Sequence, residues 1–140
     1  MKVNAQESAK ILNGKFCKSG QMSKQSLNVF RDTRFFSKDA ETNEDVYSVT
    51  RRTARWLLNS LKHPDLSEDQ VKRVLSLKTH IEHRGMKGVW STEPVVIDAD
   101  KAQIEDGLVR LYAIAICNKQ NNIPVPIKIK NIGESDGAEF

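Results

Sequence analysis

The sequence predicts an α+β domain in which a helical N-terminal half precedes a small mixed β-sheet with a buried helix. Apolar residues recur at helical spacing between residues 46 and 84. Beyond residue 93, two short β-branched runs, PVVID and IPVPIKI, flank the apolar helical run LVRLYAIA. The order of helices, hairpin, helix and strand is typical of the α+β class. At 140 residues, the chain fits one domain around a single core.

Composition and charge limit the classes of protein to consider. No apolar run approaches the ~20 residues of a membrane-spanning helix, and MKVNAQESAK lacks the apolar stretch of a secretory signal. We therefore expect a cytoplasmic protein with no membrane partner. Residues 1–62 hold 12 Lys and Arg against 6 Asp and Glu, whereas residues 63–140 hold 10 against 12. This asymmetry favours a polyanion or an acidic protein as the partner of the first half.

The sequence pattern defines residues 1–45 poorly and separates them from a predicted domain at residues 46–132. The run AQESAKILNG predicts a short helix that ends at Gly14, and a second helix begins at Ser23. Residues 38–45 are polar and without periodicity, which predicts a loop.

Two helices lead the predicted domain. Apolar residues at helical spacing from Val46 predict an amphipathic helix of about four turns. It ends near His63, because the proline that follows disfavours helical geometry in the preceding residue. Ser67 and Gln70 form a capping-box pattern at the start of the second helix, which ends at Gly85.

The C-terminal part supplies the sheet. Residues 94–105, PVVIDADKAQIE, predict a β-hairpin, and residues 107–117 predict a helix buried on most sides. Pro124 and Pro126 cannot donate ladder hydrogen bonds, so their strand is predicted at a sheet edge or as one that joins the sheet late. Residues 133–140 predict a flexible tail.

The junction EDGLVR is the main candidate site. Gly107 lets the backbone approach a ligand, the free N–H groups of a helix start attract an anion, and Arg110 can hold phosphate oxygens in a fork. Asp106 is placed to orient a sugar hydroxyl or a metal-bound water. A structural interpretation is equally concrete: Asp106 caps the helix and pairs with Arg110 one turn later. The residues alone leave both interpretations open.

Several short motifs follow one another along roughly residues 67–130. A helix ending in a G-x-W segment precedes the hairpin, a D-G-x-x-R-L-x-A pattern lies at the junction, and a VPV-like strand follows. The positions are Gly88 to Trp90, then Asp106, Gly107, Arg110, Leu111 and Ala113, then Ile123 to Val125. In this order the motifs resemble the ParB/sulfiredoxin-like superfamily, in particular its phage and mobile-element members with the signature D-G-Q-H-R-L-x-A. The resemblance implies that fold, with a nucleotide and Mg²⁺, or a nucleic-acid phosphate, as the class of ligand.

This chain departs from the family signature at two central positions. Leu108 and Val109 replace its Gln and His. Sulfiredoxins carry a motif resembling G-C-H-R at this corner, and its nucleophilic cysteine is absent from this chain. Chromosome-partition ParB proteins carry a motif resembling G-E-R-R at the same corner. Only its glycine and final arginine are present in this chain, as Gly107 and Arg110. No nucleophile or positioned general base is visible, so we do not expect turnover, and the residues alone require no cofactor.

Arginines on two predicted helices are the candidate nucleic-acid contacts. They are Arg31 and Arg34, beside Phe30, Phe35 and Phe36, and Arg51, Arg52 and Arg55 in TRRTAR. Arginines beside aromatic rings can bind phosphates and stack on bases, although core phenylalanines and a solvated helix face give the same pattern. His80 and His83 have the spacing of some metal pairs, but a solvated face is the better prediction.

Three functions stay open at this point. The first is non-catalytic binding of a nucleotide or nucleic-acid phosphate through Gly107 and Arg110. The second is a degenerate module that binds a host or defence protein as a modulator or inhibitor. The third, least favoured, is an active nucleotide-dependent enzyme.

Overall fold

Five helices and four strands are present in the computed structural model, which describes residues 5–34, 46–84, 94–118 and 123–132. In chain order they are α1 (Ala5–Asn13), α2 (Lys24–Arg31), β1 (Val46–Val49), α3 (Arg51–Ser60), α4 (Glu68–Arg84), β2 (Val95–Asp98), β3 (Gln103–Asp106), α5 (Leu108–Ile116) and β4 (Ile123–Lys130). The strands form one mixed sheet in the order β1-β4-β2-β3. This arrangement confirms the predicted α+β class and the hairpin, whose strands β2 and β3 pair antiparallel.

Strand β4 lies inside the sheet, so the prediction of an edge strand was wrong. Its first half pairs antiparallel with β1, where Pro124 faces Ser48 and Pro126 faces Val46. Its second half pairs parallel with β2, beginning at Ile127 opposite Val95. Both prolines therefore lie before the residues that pair with β2. Their lack of an N–H group removes no hydrogen bond from that pairing. The alternative prediction was a strand that joins the sheet late. It agrees with this arrangement, in which the first half of β4 pairs with β1 and the second half with β2.

The predicted helix from Val46 was wrong in its first turn, because Val46–Val49 forms β1. Helix α3 begins only after Thr50, whose hydroxyl accepts a hydrogen bond from the N–H of Thr53 at 3.1 Å. Val-Tyr-Ser-Val is rich in β-branched and aromatic residues, and pairing with β4, more than 70 residues downstream, makes it a strand. The spacing of apolar residues within this segment could not indicate that it pairs with a strand so far along the chain.

The helices of the first 34 residues pack into the same apolar cluster as the predicted domain. Both helices occur where the sequence placed them, and Ser23 caps α2 by accepting from the N–H of Ser26 at 3.0 Å. Phe30 is buried and stacks on Tyr47 of β1, with ring centroids 4.7 Å apart. Residues 5–34 therefore supply part of the core. The predicted loop at 38–45, Phe35 and Phe36, Gly85, the G-x-W segment and the tail lie outside the described residues.

Helix α4 begins with the predicted capping box. The N–H of Ser67 donates to Oε1 of Gln70 at 2.9 Å, and the N–H of Gln70 donates to the Ser67 hydroxyl at 3.2 Å. These reciprocal bonds satisfy two backbone donors at the helix start. The buried face of α4 includes Val71, Val74 and Ile81, as the predicted period requires, whereas Leu75, also placed on that face by its spacing, is 38% exposed.

Helix α5 is the most deeply buried helix of the described chain. Six of its nine residues are buried, and α3 and α4 pack against it. Gly107, immediately before it, has a φ of 91° and lies against Val95 of β2. A Cβ at position 107 would come within 2.7 Å of Val95 Cγ2 and 2.9 Å of Val95 Cα. Packing of the helix start on the sheet therefore requires glycine there.

His63 and Tyr112 form a buried polar pair beneath this helix. The rings meet edge to face with centroids 5.6 Å apart. Nε2 of His63 donates to the carbonyl of Leu58 at 3.0 Å, which assigns the proton to Nε2 and leaves Nδ1 as the bare nitrogen. Burial lowers the pKa of His63 below its ordinary value of 6.5 and outweighs the bond to Leu58, and burial raises the pKa of Tyr112 to about 12. Both groups are therefore neutral in the folded protein near neutral pH.

We predict that Gly107→Ala lowers the free energy of unfolding by about 2–3 kcal/mol, because it combines a left-handed backbone with a clash against Val95. Gly14→Ala is the matched control, since a Cβ at position 14 meets its nearest atom at 3.4 Å and no positive φ is involved. Urea unfolding of both variants measures the difference. Equal losses at the two glycines would contradict the packing requirement.

We also predict that stability falls as the pH drops below about 6.5. The unfolded chain binds a proton at His63 before the folded protein does, because the folded pKa is lowered. Free energies of unfolding measured between about pH 7.5 and 5 should show this slope in the wild type, and His63→Gln should flatten it. His83→Gln, a change at an exposed histidine, is the control and should keep the slope. If the free energy of unfolding of His63→Gln still falls with pH as it does in the wild type, the pH dependence does not come from His63.

Candidate functional site

The first turn of α5 is left without a side-chain cap. Gly107 is the N-cap residue and no side chain bonds to the turn. The first intrahelical bond runs from the N–H of Leu111 to the carbonyl of Gly107 at 3.3 Å, so the N–H groups of residues 108–110 precede the helical ladder. No acidic residue occurs in this turn. The positive end of the helix dipole is thus not neutralised from within the helix.

The residues of this turn line a pocket of about 250 Å³ at the corner between β3, α4 and α5. The lining residues are Gln70, Arg73, Asp106, Gly107, Leu108, Val109 and Arg110. The structure thus brings together the three residues predicted from sequence, Asp106, Gly107 and Arg110. It adds Arg73 and Gln70 from α4, which sequence reasoning missed because the packing of α4 on α5 brings them there. We call this pocket the α5 corner.

The structural interpretation of Asp106 does not hold in the form expected from sequence. Asp106 ends β3 and is exposed, and its Oδ1 accepts from the N–H of Gly107 at 2.9 Å instead of capping the first turn of α5. Among ion pairs between described residues, none joins Asp106 to Arg110. Arg110 is half-buried and lines the corner. The corner is thus lined by two arginines, one aspartate and the first residues of a helix.

A larger pocket of about 520 Å³ adjoins the corner along α4 and shares Arg73 and Val109 with it. Lys72, Ser76, Leu77 and His80 complete its lining. His83 is exposed, and the described part of the chain contains no group of three or more His, Cys, Asp or Glu side chains that could hold a metal ion. His80 therefore belongs to a basic and apolar cleft beside the corner.

Two of the arginines expected to contact nucleic acid are directed at the other end of α5. Nε of Arg55 donates to the carbonyl of Ala115 at 2.9 Å, and Nη1 of Arg51 donates to that of Cys117 at 3.2 Å. Cations at a helix C-terminus satisfy its free carbonyls and complement its dipole. Glu82 adds a contact from α4 by accepting from the N–H of Asn118 at 2.8 Å. Its pKa is lowered, first by the hydrogen bond from Lys78.

The remaining arginines do not share one cluster with these. Arg52 is exposed, Arg31 is half-buried, and Nη1 of exposed Arg34 donates to the carbonyl of Arg31 at 2.8 Å. Phe30, the described phenylalanine of that motif, belongs to the core. The five arginines thus occupy different environments, and Arg51 and Arg55 have a clear structural role.

Comparison of the chain with family models, with curated proteins and with solved structures found no match. Membership of the ParB/sulfiredoxin-like superfamily stays a prediction. Within the described residues, no helix has the length and apolar character needed to cross a membrane.

We predict that Arg55→Ala lowers the free energy of unfolding by about 1 kcal/mol, because a charged donor to a carbonyl at the end of α5 is lost. Arg52→Ala, a change at an exposed arginine three residues earlier on the same helix, should cost less than about 0.5 kcal/mol. Urea unfolding and amide exchange at the end of α5 measure both effects. Equal losses of stability in the two variants would show that Arg55 acts only through its positive charge, and not through its bond to the carbonyl of Ala115.

Proposed function

We propose that the α5 corner binds a phosphate group of a nucleotide or another phosphorylated ligand. One observation carries the proposal: the uncapped first turn of α5 borders a pocket that Arg73 and Arg110 also line. Backbone N–H groups at a helix start, the positive end of its dipole and forked guanidinium groups all favour phosphate oxygens. The single carboxylate, Asp106, takes a sugar hydroxyl or a Mg²⁺-bound water in this arrangement.

The replacement of the family's Gln and His by Leu108 and Val109 is compatible with this proposal. Phosphate binding at a helix start uses backbone N–H groups, and leucine and valine supply them as well as polar residues do. The apolar side chains instead line the walls, and Val109 continues into the adjoining pocket with Leu77. That pocket gives the remainder of a nucleotide a partly apolar surface. The resemblance to ParB/sulfiredoxin-like proteins supports the same corner.

Nucleic acid is a weaker form of the proposal. Of the predicted contacts on α3, Arg51 and Arg55 donate to carbonyls of α5, and Arg52 remains exposed. Affinity for nucleic acid depends on several simultaneous phosphate contacts. A small phosphorylated ligand, by contrast, needs only the groups that the α5 corner already brings together.

A second candidate is a degenerate module that binds a host or defence protein, and the packing role of Gly107 is compatible with it. Close packing against Val95 requires glycine whether or not a ligand binds nearby. The retained glycine is therefore compatible with a chain that keeps the fold and has lost the ligand. In that case Arg73 and Arg110 would not raise the affinity for any phosphate compound.

The proposal predicts that ATP, CTP, GTP or ADP with Mg²⁺, or pyrophosphate, raises the melting temperature of the full chain. A ligand at about 100 times its Kd adds about 2.7 kcal/mol to the stability, which is several degrees for a chain of this size. Arg73→Ala and Arg110→Lys should each weaken binding about tenfold or more, because each removes a forked contact. Thermal shift and calorimetric titration measure these effects.

Arg52→Ala is the matched control, since it removes an exposed arginine that does not line the corner and should leave the affinity unchanged. Binding of a labelled DNA oligonucleotide is measured in parallel at low and high salt. Absence of any shift with all phosphate compounds would overturn the proposal and favour the protein-binding module. Release of phosphate during the titration would restore the enzyme hypothesis.

A further inference from the structure

A second surface, remote in sequence from the α5 corner, lies between α2 and α3. It contains an apolar slot of about 420 Å³. The slot is lined by Gln25, Ser26, Val29, Phe30, Thr33 and Trp56. We call it the α2/α3 groove. Its volume lies within the range of about 300–1,000 Å³ that is typical of ligand pockets.

The groove exposes apolar side chains that the core does not use. Val29 is 65% exposed although it lies on a helix whose neighbouring residue Phe30 is buried. Trp56 is 37% exposed, and its ring packs at a tilt of 58° on Phe30 with centroids 5.6 Å apart. Phe30 is in turn stacked on Tyr47. A series of contacting aromatic rings thus runs from Tyr47 through Phe30 to the partly exposed Trp56, which suits an anchor site for an apolar side chain.

A polar pocket of about 310 Å³ continues the groove and shares Ser26 and Trp56 with it. Ser19, Ser23 and Ser60 also line it, and the hydroxyl of Ser23 caps α2. Trp56 therefore stands between an apolar slot and a row of hydrogen-bonding groups. This combination suits a peptide, whose side chain enters the slot while its polar groups meet the hydroxyls.

The described segments that form the groove carry an excess of positive charge in sequence, although Lys18 and Lys24 pair with carboxylates elsewhere in the fold. The described stretches 5–34 and 46–62 contain ten Lys and Arg but two Asp and Glu, which are Glu7 and Asp32. Arg52 precedes Trp56 by one helical turn, so the two side chains are neighbours on α3. Arg52 is exposed, and its guanidinium makes no hydrogen bond or ion pair with another described residue. A carboxylate on a docked segment has a cation available beside the slot.

We propose that the α2/α3 groove docks an acidic amphipathic segment of another protein. Its bulky apolar side chains enter the slot beside Val29 and Trp56, and its carboxylates pair with Arg52. Nucleic acid is disfavoured here because the slot is lined by uncharged side chains, and because Arg51 and Arg55 donate to α5. The proposal is independent of phosphate binding at the α5 corner.

The test uses the full chain and fluorescence anisotropy with short labelled peptides of equal length. One peptide carries Leu and Phe on one helical face and Glu on the other. A second replaces Leu and Phe by Ala, a third replaces Glu by Lys, and an oligothymidine of similar length represents nucleic acid. We expect the first peptide to bind at least about tenfold more tightly than the second and the third.

Matched variants assign the binding to the groove. Val29→Glu and Arg52→Glu should each weaken the acidic peptide about tenfold, and Arg52→Glu should improve the lysine peptide. Ile11→Glu, at an apolar residue 62% exposed on α1, and Lys10→Glu, at an exposed lysine, are the controls and should change nothing. Trp56→Ala supplies a third variant, and melting curves establish that each variant is folded.

Two outcomes would overturn the proposal. In the first, the acidic peptide binds no better than its alanine counterpart, or the control variants weaken it as much as the groove variants do. In the second, the oligothymidine binds more tightly than every peptide and loses affinity steeply with salt, which would make the surface a nucleic-acid contact. Retained peptide binding in a variant without phosphate affinity would confirm that the two surfaces are separate.

Discussion

Helix α5 buries six of its nine residues, and α3 and α4 both pack against it. Full burial of each leucine or isoleucine side chain contributes about 1.5–3 kcal/mol, and α5 directs most of its residues into the core. A buried helix still has free N–H and carbonyl groups at its two ends. The C-terminal end receives Arg51 and Arg55 from α3, and α4 contributes Glu82 just beyond it. The first turn receives no side-chain cap and borders a pocket. The candidate site arises from this difference between the two ends.

Gly107 shows how one residue can satisfy packing and still permit binding. Its contact with Val95 sets the distance between the start of α5 and the sheet, and its positive φ turns the chain from β3 into the helix. The residues that follow this turn, Leu108, Val109 and Arg110, line the α5 corner. A glycine at such a junction is therefore poor evidence for a ligand by itself. The stronger evidence is the convergence of Arg73 and Arg110 from two helices on the same pocket.

The two proposed surfaces use the positive charge of the chain in different ways. The α5 corner combines guanidinium groups with backbone donors, which suits the compact charge of a phosphate. The α2/α3 groove combines Arg52 with exposed Val29 and Trp56, which suits a carboxylate beside an apolar side chain. Arginines with bonds inside the fold, such as Arg55, contribute to the general positive field but belong to neither surface. Net charge alone could not separate these roles.

Local signals along the chain predicted most of the helices, the hairpin and three of the residues that line the corner, Asp106, Gly107 and Arg110. Ser67 with Gln70, the β-branched run before Asp98, and the apolar face of α5 act through local bonds and periodicity, which are readable along the chain. Local patterns did not predict that Val46–Val49 is a strand or that β4 lies inside the sheet, because both depend on pairing between distant segments. They also did not predict that Arg73 lines the same pocket as Arg110, or that Arg51 and Arg55 donate to the end of α5. Those positions follow from the packing of helices on one another, which no local pattern encodes.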